Sequence, residues 1–474
     1  MKLLLHGLNY APEEIGIGKY SGEMVATLID AGWDVTVVTT PPYYPQWRIA
    51  TGFRGWWWSR DQVRAASPWH KADAASGRDG GEVSAGKLSV IRCPLWVPRK
   101  VNGWKRVLHL ASYGLSSIPP LWWQAIRQRP DVIMTVEPAA FCMPSTLVAA
   151  RLCGAQSWLH VQDFEVDAAF ELGILKSRRL RGWVTGIETW LMRRFARVSS
   201  ISPNMLAKLR SKGVSADNIR HFPNWVDCQA MRPLEDQAAC RDMLGLPHDK
   251  RIALYAGNIG AKQGLDLLVD AARRCRNPAV LFVICGHGAA YDSLAAQAAG
   301  VPNLQLLPVQ PFERFNQLMN CADVHLLPQK GNAADLVMPS KLTGMLATGR
   351  PVVACSNPGT QIAQVVQGCG CVVPPGDVDA LLAAVELLAD DPVLCQNYGR
   401  AAREYAMQEL SAPAILQRFI GELNELLDGQ TPGCAATGLD LKSPTASDVD
   451  GKPQVDEVMP PGQVHGPPHE PLAR

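Results

Sequence analysis

Twelve short apolar runs punctuate this chain, and longer segments with helical spacing of apolar residues lie between them. Runs at 2–6, 35–39, 88–92, 132–136, 157–161 and 198–201 occupy the first half. Runs at 252–255, 280–284, 304–307, 324–327, 352–354 and 371–373 occupy the second. Buried strands alternating with helices call for parallel sheets joined by crossover helices. A chain of 474 residues exceeds one ordinary hydrophobic core, so the two sets of six predict an α/β protein with two doubly wound domains. Their expected extents are 1–225 and 226–410, with a linker near 223–233. Ligands in such sheets bind beyond the carboxyl ends of the strands, so two facing domains create one central cleft.

The remaining segments are assigned by composition. Residues 60–87 are rich in Ala, Ser, Gly and charge and are expected to form a mobile loop. Residues 411–428 carry the apolar spacing of a last amphipathic helix (Ile415, Leu416, Phe419, Ile420, Leu423), expected to pack back towards the first domain. Residues 429–474 hold eight prolines and little periodicity, as in a disordered tail. Thirteen cysteines lack framework spacing and include no C-x-x-C pair, which argues against disulfides and a zinc site and fits a reducing cytoplasm. The opening Met-Lys-Leu-Leu-Leu-His is too short an apolar run for a signal peptide and reads as a first strand.

The net charge of +2 conceals an asymmetry. Residues 1–225 hold 28 Lys/Arg and 17 Asp/Glu, a balance of +11, and the remainder holds 18 and 27, a balance of −9. Either the first half meets an anionic surface or substrate, or the difference is a plain surface fluctuation.

Four glycine-bearing or capped segments follow strands. The first, Asn9 to Tyr20, carries Gly16 and Gly18 before a helix expected at 21–31. A dinucleotide reading fails there, because the glycines come ten residues after the strand and the second strand ends in Thr39-Thr40 with no acid for a ribose. A flexible active-site loop is preferred to a structural turn. The second, Tyr255-Ala-Gly-Asn-Ile-Gly-Ala-Lys-Gln-Gly264, places Gly257, Asn258 and Lys262 where the lysine neutralises a diphosphate or is simply solvated. The third, Cys285-Gly-His-Gly288, offers Gly286 and Gly288 to a nucleobase. The fourth is a short helix announced by Pro339 and Ser340, with Lys341 in its first turn, and ended by Gly349. Free N–H groups and a cation at such a start favour an anion, although a well-capped structural helix reads the same way. Asp377 and Asp379 have the spacing of a metal pair, but an N-cap and a first-turn acid explain them, and no metal is expected.

These loops, in this order, resemble the retaining glycosyltransferases with two Rossmann-like domains (GT-B, group 1 or family 4 type), especially those of colanic acid and other exopolysaccharide biosynthesis. The resemblance spans about residues 1–428. Its motifs are Gly-Ile-Gly-Lys-Tyr (16–20), Pro-Pro-Tyr-Tyr-Pro-Gln-Trp (41–47), His-Val-Gln-Asp-Phe-Glu-Val-Asp (160–167), Phe-Pro-Asn-Trp (222–225), Gly-Asn-Ile-Gly-Ala-Lys-Gln-Gly (257–264) and Pro-Ser-Lys-Leu (339–342). It implies transfer of a sugar, with retention and without a metal, from a nucleotide sugar (GDP- or UDP-linked) to a lipid-diphosphate-linked saccharide. It further implies donor contacts at Gly16, Gly18, Gly257, Asn258, Lys262, Gly286, Gly288, Asp335, Pro339, Ser340 and Lys341, and acceptor contacts at Tyr43, Tyr44, Trp47 and Glu165. Asp163, Lys262 and His160 are the implied catalytic residues. The chain departs from the pattern at Asn258, where relatives carry Arg, and at Leu336 and Gly344, where they carry glutamates.

Tryptophans beside Arg and Lys (Trp56-Trp-Trp58 between Arg54 and Arg60, Trp104-Lys-Arg106, Trp122-Trp123 before Arg127) have the composition of a membrane interface. Residues 107–126 lack Asp, Glu, Lys and Arg, but His109, three serines and Pro119-Pro120 argue against a span. Peripheral attachment to the inner face of the plasma membrane is expected, with no nucleic-acid partner; the sequence carries no signal of oligomeric state. The rival readings are a sugar-nucleotide epimerase of the same architecture and a non-catalytic assembly partner.

Overall fold

The computed structural model describes residues 1–13, 16–61, 85–99, 103–138, 140–164, 166, 178–260, 263–329 and 340–429, with the side chains of 178–180, 312 and 340 excepted. The first sheet contains β1 (Lys2–Gly7), β2 (Asp34–Thr39), β3 (Ser59–Asp61), β4 (Leu88–Arg92), β5 (Val132–Glu137), β6 (Gln156–Val161), β7 (Arg197–Ser200) and β8 (Ile219–His221). Its order is β3-β4-β2-β1-β5-β6-β7-β8, parallel except for β3 against β4. The second contains β9 (Arg251–Ala256), β10 (Val280–Cys285), β11 (Leu304–Leu307), β12 (Val324–Leu327), β13 (Val352–Cys355) and β14 (Gly370–Val373), in the order β11-β10-β9-β12-β13-β14, all parallel.

Crossovers to the left and to the right of β1 must lie on opposite faces, because each is right-handed. Helix α1 (Ile17–Asp30) therefore covers one face. On the other lie α2 (Gly103–Ser116), α3 (Ile118–Gln128), α4 (Cys142–Cys153), α5 (Arg178–Met192) and α6 (Pro203–Ser211). Alternate strand residues serve the two faces. Leu3, Leu5, Val37 and Trp158 meet Met24 and Val25 of α1, while Leu4, Val38 and Ile133 meet Leu110, Tyr113 and Leu121. The uncharged stretch 107–126 is thus two helices broken at Ser117, with Tyr113 Oη donating to the carbonyls of Gly7 and Val38.

The second sheet is flanked by α7 (Gln237–Leu244), α8 (Asp266–Arg274), α9 (Tyr291–Ala298), α10 (Phe315–Asn320), α11 (Ser340–Ala347), α12 (Gln361–Val366), α13 (Val378–Asp390) and α14 (Pro392–Glu409). The side chain of Asp377 accepts from the Ala380 N–H and so caps α13. After α14 the chain returns. Val226 N donates to Leu410 O, Ala412 N donates to Val226 O, and α15 (Ala412–Asp428) then lays Ile415, Phe419 and Leu423 beside α1.

Two short strands, β3 and β8, escape the sequence reading. Each has three residues and is largely polar, so neither shows the apolar run of a central strand. The loop expected at 60–87 is anchored at both ends, by β3 and by Lys87 O accepting from Val35 N; 62–84 lie outside the described residues, as does the tail from 430 onward.

Candidate active site

The carboxyl ends of β9 and β10 deliver two glycine loops that interlock through their backbones. Gly257 N donates to Cys285 O at 2.9 Å, and Ile259 N donates to His287 O at 3.0 Å. Gly257 and Gly286 have φ of 150° and 156°, and a Cβ on Gly286 would stand 1.9 Å from Gly257 O. No other residue fits there. Gly288 is equally confined, since a Cβ there would lie 2.4 Å from Ile259 O. Asn258 is exposed at the lip, and its carbonyl accepts from Tyr255 Oη at 2.7 Å.

Lys341 comes from the first turn of α11 and reaches into the same place. Its Nζ donates to Tyr255 Oη at 2.6 Å and lies 4.6 Å from that ring's centroid. A Cβ on Gly257 would be 2.4 Å from Lys341 Cε, so the glycine makes room for the lysine. Burial lowers the Lys341 pKa from 10.5 to about 8. An ammonium has three donors and Tyr255 takes one, which leaves capacity for an anion. Tyr255, given no role by the sequence alone, is the residue that orients this cation. Its place as the fifth residue of a buried strand reads only as core. Lys262, Asp335 and Pro339 lie outside the described residues, as does the side chain of Ser340.

Across the cleft, Gly16 is the N-cap of α1 with φ 62°. The helix begins at Ile17 rather than 21, so Gly18 lies inside it. Gly18 is buried, and a Cβ there would run to 2.6 Å from Glu13 Cβ. Tyr20, two residues on, hydrogen-bonds the Thr343 side chain of α11 and so ties the two halves together.

The acceptor-side residues divide. Tyr44 is exposed, whereas Tyr43 is buried, with His109 and Trp47 edge-on to its ring at 4.8 and 5.7 Å. Tyr43 thus supports its loop from beneath rather than presenting a ring to a ligand. Trp47 is half-buried with φ 51°, an uncommon conformation for a non-glycine residue, held by contact with Tyr43 and His109. Asp163 stands half-buried just past the end of β6; Glu165 and Asp167 lie outside the described residues.

His160, expected to be catalytic, lies inside a hydrogen-bonded cluster. It is buried, and desolvation lowers its pKa to about 3. Its Nδ1 pairs with Ser199 Oγ at 2.9 Å and its Nε2 with the Gln162 amide at 3.0 Å, which also donates to Asn224 Oδ1. Both imidazole nitrogens are thus engaged, and the ring holds Gln162 in place. Phe222 and Trp225 are likewise packing residues: Phe222 stacks on Phe419, and Trp225 Nε1 donates to Glu23. Among the described residues no cluster of three His, Cys, Asp or Glu could hold a metal.

Comparison with known proteins gives this geometry its context. Residues 16–225 match the model of the glycosyl transferase 4-like domain, and residues 250–391 match that of glycosyl transferases group 1. The chain is 38% identical over 433 residues to WcaI of Escherichia coli K12, a protein assigned to colanic acid biosynthesis as a glycosyl transferase, across 89% of this chain and 100% of that one. Among solved structures, sucrose-phosphate synthase of Thermosynechococcus elongatus has a TM-score of 0.67 at 19% identity, over 91% of this chain and 100% of that one. Anabaena HepE, solved in complex with UDP, has a TM-score of 0.64 at 14% identity, over 90% and 100%. Two parallel-sheet domains, two family models matched in chain order and a full-length relative together place the chain in the group 1 family, as a glycosyltransferase of the GT-B fold.

Proposed function

We propose that this glycosyltransferase moves a sugar, with retention and without a metal, from a GDP- or UDP-linked donor to a lipid-diphosphate-linked saccharide in bacterial exopolysaccharide assembly. The observation that carries the donor half is the Lys341 ammonium seated against the Gly257 backbone. Breaking the bond between sugar and diphosphate builds negative charge on the leaving group. A preorganised cation and helix N–H groups stabilise that charge without reorganising, and one such donor contributes about 3–4 kcal/mol. Retention and metal independence follow from the family resemblance, and the kinship with WcaI supports exopolysaccharide as the pathway. Family membership favours transfer over the epimerase reading.

The acceptor half is supported by one face of the first domain. Exposed large apolar side chains gather on the helical layer α2–α5 and its adjoining loop: Trp56 (82% exposed), Trp104, Leu115, Trp123, Leu152, Trp183 (75%), Ile187 and Trp190. None of the described side chains of α1 and α15, on the opposite face, is of this kind. The four helices carry seven Lys or Arg and one acid, Glu188, which is buried against Lys212. The Arg194 guanidinium carbon sits over the Trp190 ring, 3.4 Å from its centroid. Trp and Arg on one surface suit an anionic lipid interface, where each basic group contributes about 1 kcal/mol. Among the described residues no helix is long and apolar enough to cross a membrane. A panel of GDP- and UDP-sugars with a prenyl-diphosphate-linked saccharide, run with and without EDTA, tests the reaction, and product anomeric configuration tests retention. Flotation with anionic vesicles tests the surface: binding at low salt is expected, weakened by Trp183→Ser with Trp190→Ser, and absence of binding refutes it.

A further inference from the structure

We propose that Glu13 is a positioning residue for acceptor binding, its carboxylate fastening the loop of Tyr43 and Tyr44 onto the glycine loop that precedes α1. This inference rests on the functional reading above, which it refines. Glu13 is 6% exposed. Its Oε1 accepts from two successive backbone N–H groups, those of Tyr43 and Tyr44, both at 3.0 Å, and its Oε2 accepts from Asn9 Nδ2 at 2.8 Å. Successive N–H groups converging on one oxygen form an anion nest, and bonds to an ionised acceptor are the stronger kind.

A second charged residue closes the clamp from the other side. The Arg92 guanidinium is buried and donates to Ala11 O at 2.6 Å, Thr40 O at 2.9 Å and Asp61 Oδ2 at 2.8 Å. Glu13 therefore reaches from the β1 loop to backbone after β2, while Arg92 grips carbonyls of both. Burial raises the Glu13 pKa, and the two N–H bonds, Asn9 and Arg92 oppose that rise. The space the carboxylate fills is the space Gly18 leaves empty. Apolar packing would join the loops without directing them. A carboxylate chelating two amides fixes where Tyr44 stands relative to Gly16.

The test compares wild type with Glu13→Ala, Glu13→Gln and Glu13→Asp in hydrogen exchange of the peptide covering 40–48, in nucleoside diphosphate affinity, and in transfer to a synthetic prenyl-diphosphate-linked monosaccharide. For Glu13→Ala, exchange at Tyr43 and Tyr44 rises at least tenfold and acceptor KM rises at least tenfold, with nucleotide affinity within threefold. Glu13→Gln, which keeps an acceptor oxygen, returns acceptor KM to within threefold of wild type. Should the alanine variant fail to fold, Glu13→Asp, too short to span both loops, shows the same split. Unchanged exchange, or donor and acceptor constants falling together, overturns the proposal. If wild type transfers from no donor, the functional reading fails instead, while the exchange comparison still decides the clamp.

Discussion

Replacing Lys341 by methionine removes a charge and keeps the length of the side chain, and the structure predicts opposite effects on stability and on turnover. Burial lowers the lysine pKa from 10.5 to about 8. The unfolded chain therefore binds the proton more tightly than the native one between those values. Native stability rises as pH climbs from about 8 to 10.5, and the full cost of holding the ammonium is present below pH 8. That cost is about 3 kcal/mol at one pKa unit per 1.36 kcal/mol. Tyr255 Oη keeps its bond to Asn258 O when the lysine leaves, so no buried donor is orphaned. Lys341→Met should thus unfold at the same or a higher temperature at pH 7. Turnover at saturating donor should fall by about 100-fold or more, the loss expected on removing one donor to a developing anion. In wild type, kcat/KM for the donor should decline above pH 8 as the free enzyme loses its cation, while the kcat limb moves to higher pH because a bound diphosphate holds the proton. Calorimetry and steady-state kinetics on the two proteins suffice. A variant that is active within tenfold, or less stable by more than about 1 kcal/mol, refutes the role assigned to this lysine.

Two further expectations concern other parts of the chain. Lys262→Ala should leave folding intact and lower transfer about 100-fold; near wild-type turnover at saturating donor removes Lys262 from the mechanism. His6, His160 and His325 are buried with pKa values lowered to about 3 by desolvation. Unfolded imidazoles take up protons near pH 6.5, so stability is lost as pH falls from 6.5 towards 3, by about 2 kcal/mol per histidine at pH 5. Thermal unfolding at pH 7 and pH 5 measures it, and an unchanged midpoint contradicts their burial as neutral groups.

The strands at the middle of each sheet were legible because their buried positions are largely apolar, as in Leu3–Leu5, Val37–Val38 and Val280–Cys285. Polar residues inside these runs are buried with partners: His325 of β12 is bonded to Thr348, and His6 of β1 to Thr146 and Ser117. The three-residue, largely polar strands β3 and β8 left no such record. The helix start at Ser340 was also legible from Pro, Ser and a closing Gly, though a cation there reads equally as an anion site or as part of a well-capped structural helix. Glycines at 257 and 286 were legible as loops, but the reason for them, a backbone and a lysine approaching from elsewhere, was not.

What the sequence by itself determined was therefore the periodic part: two doubly wound domains, where their loops fall, and a basic, tryptophan-rich first half. Tertiary structure decided which of the candidate residues are buried and which distant residues they pack on or bond. His160 is bonded to Ser199 and Gln162, Gly18 packs against Glu13, and the Tyr43 ring packs on Trp47 and His109. Glu13 and Tyr255 stood unremarked until distant segments gave them partners. Burial and hydrogen bonding between residues tens of positions apart fix those roles, and no local window of sequence contains that information.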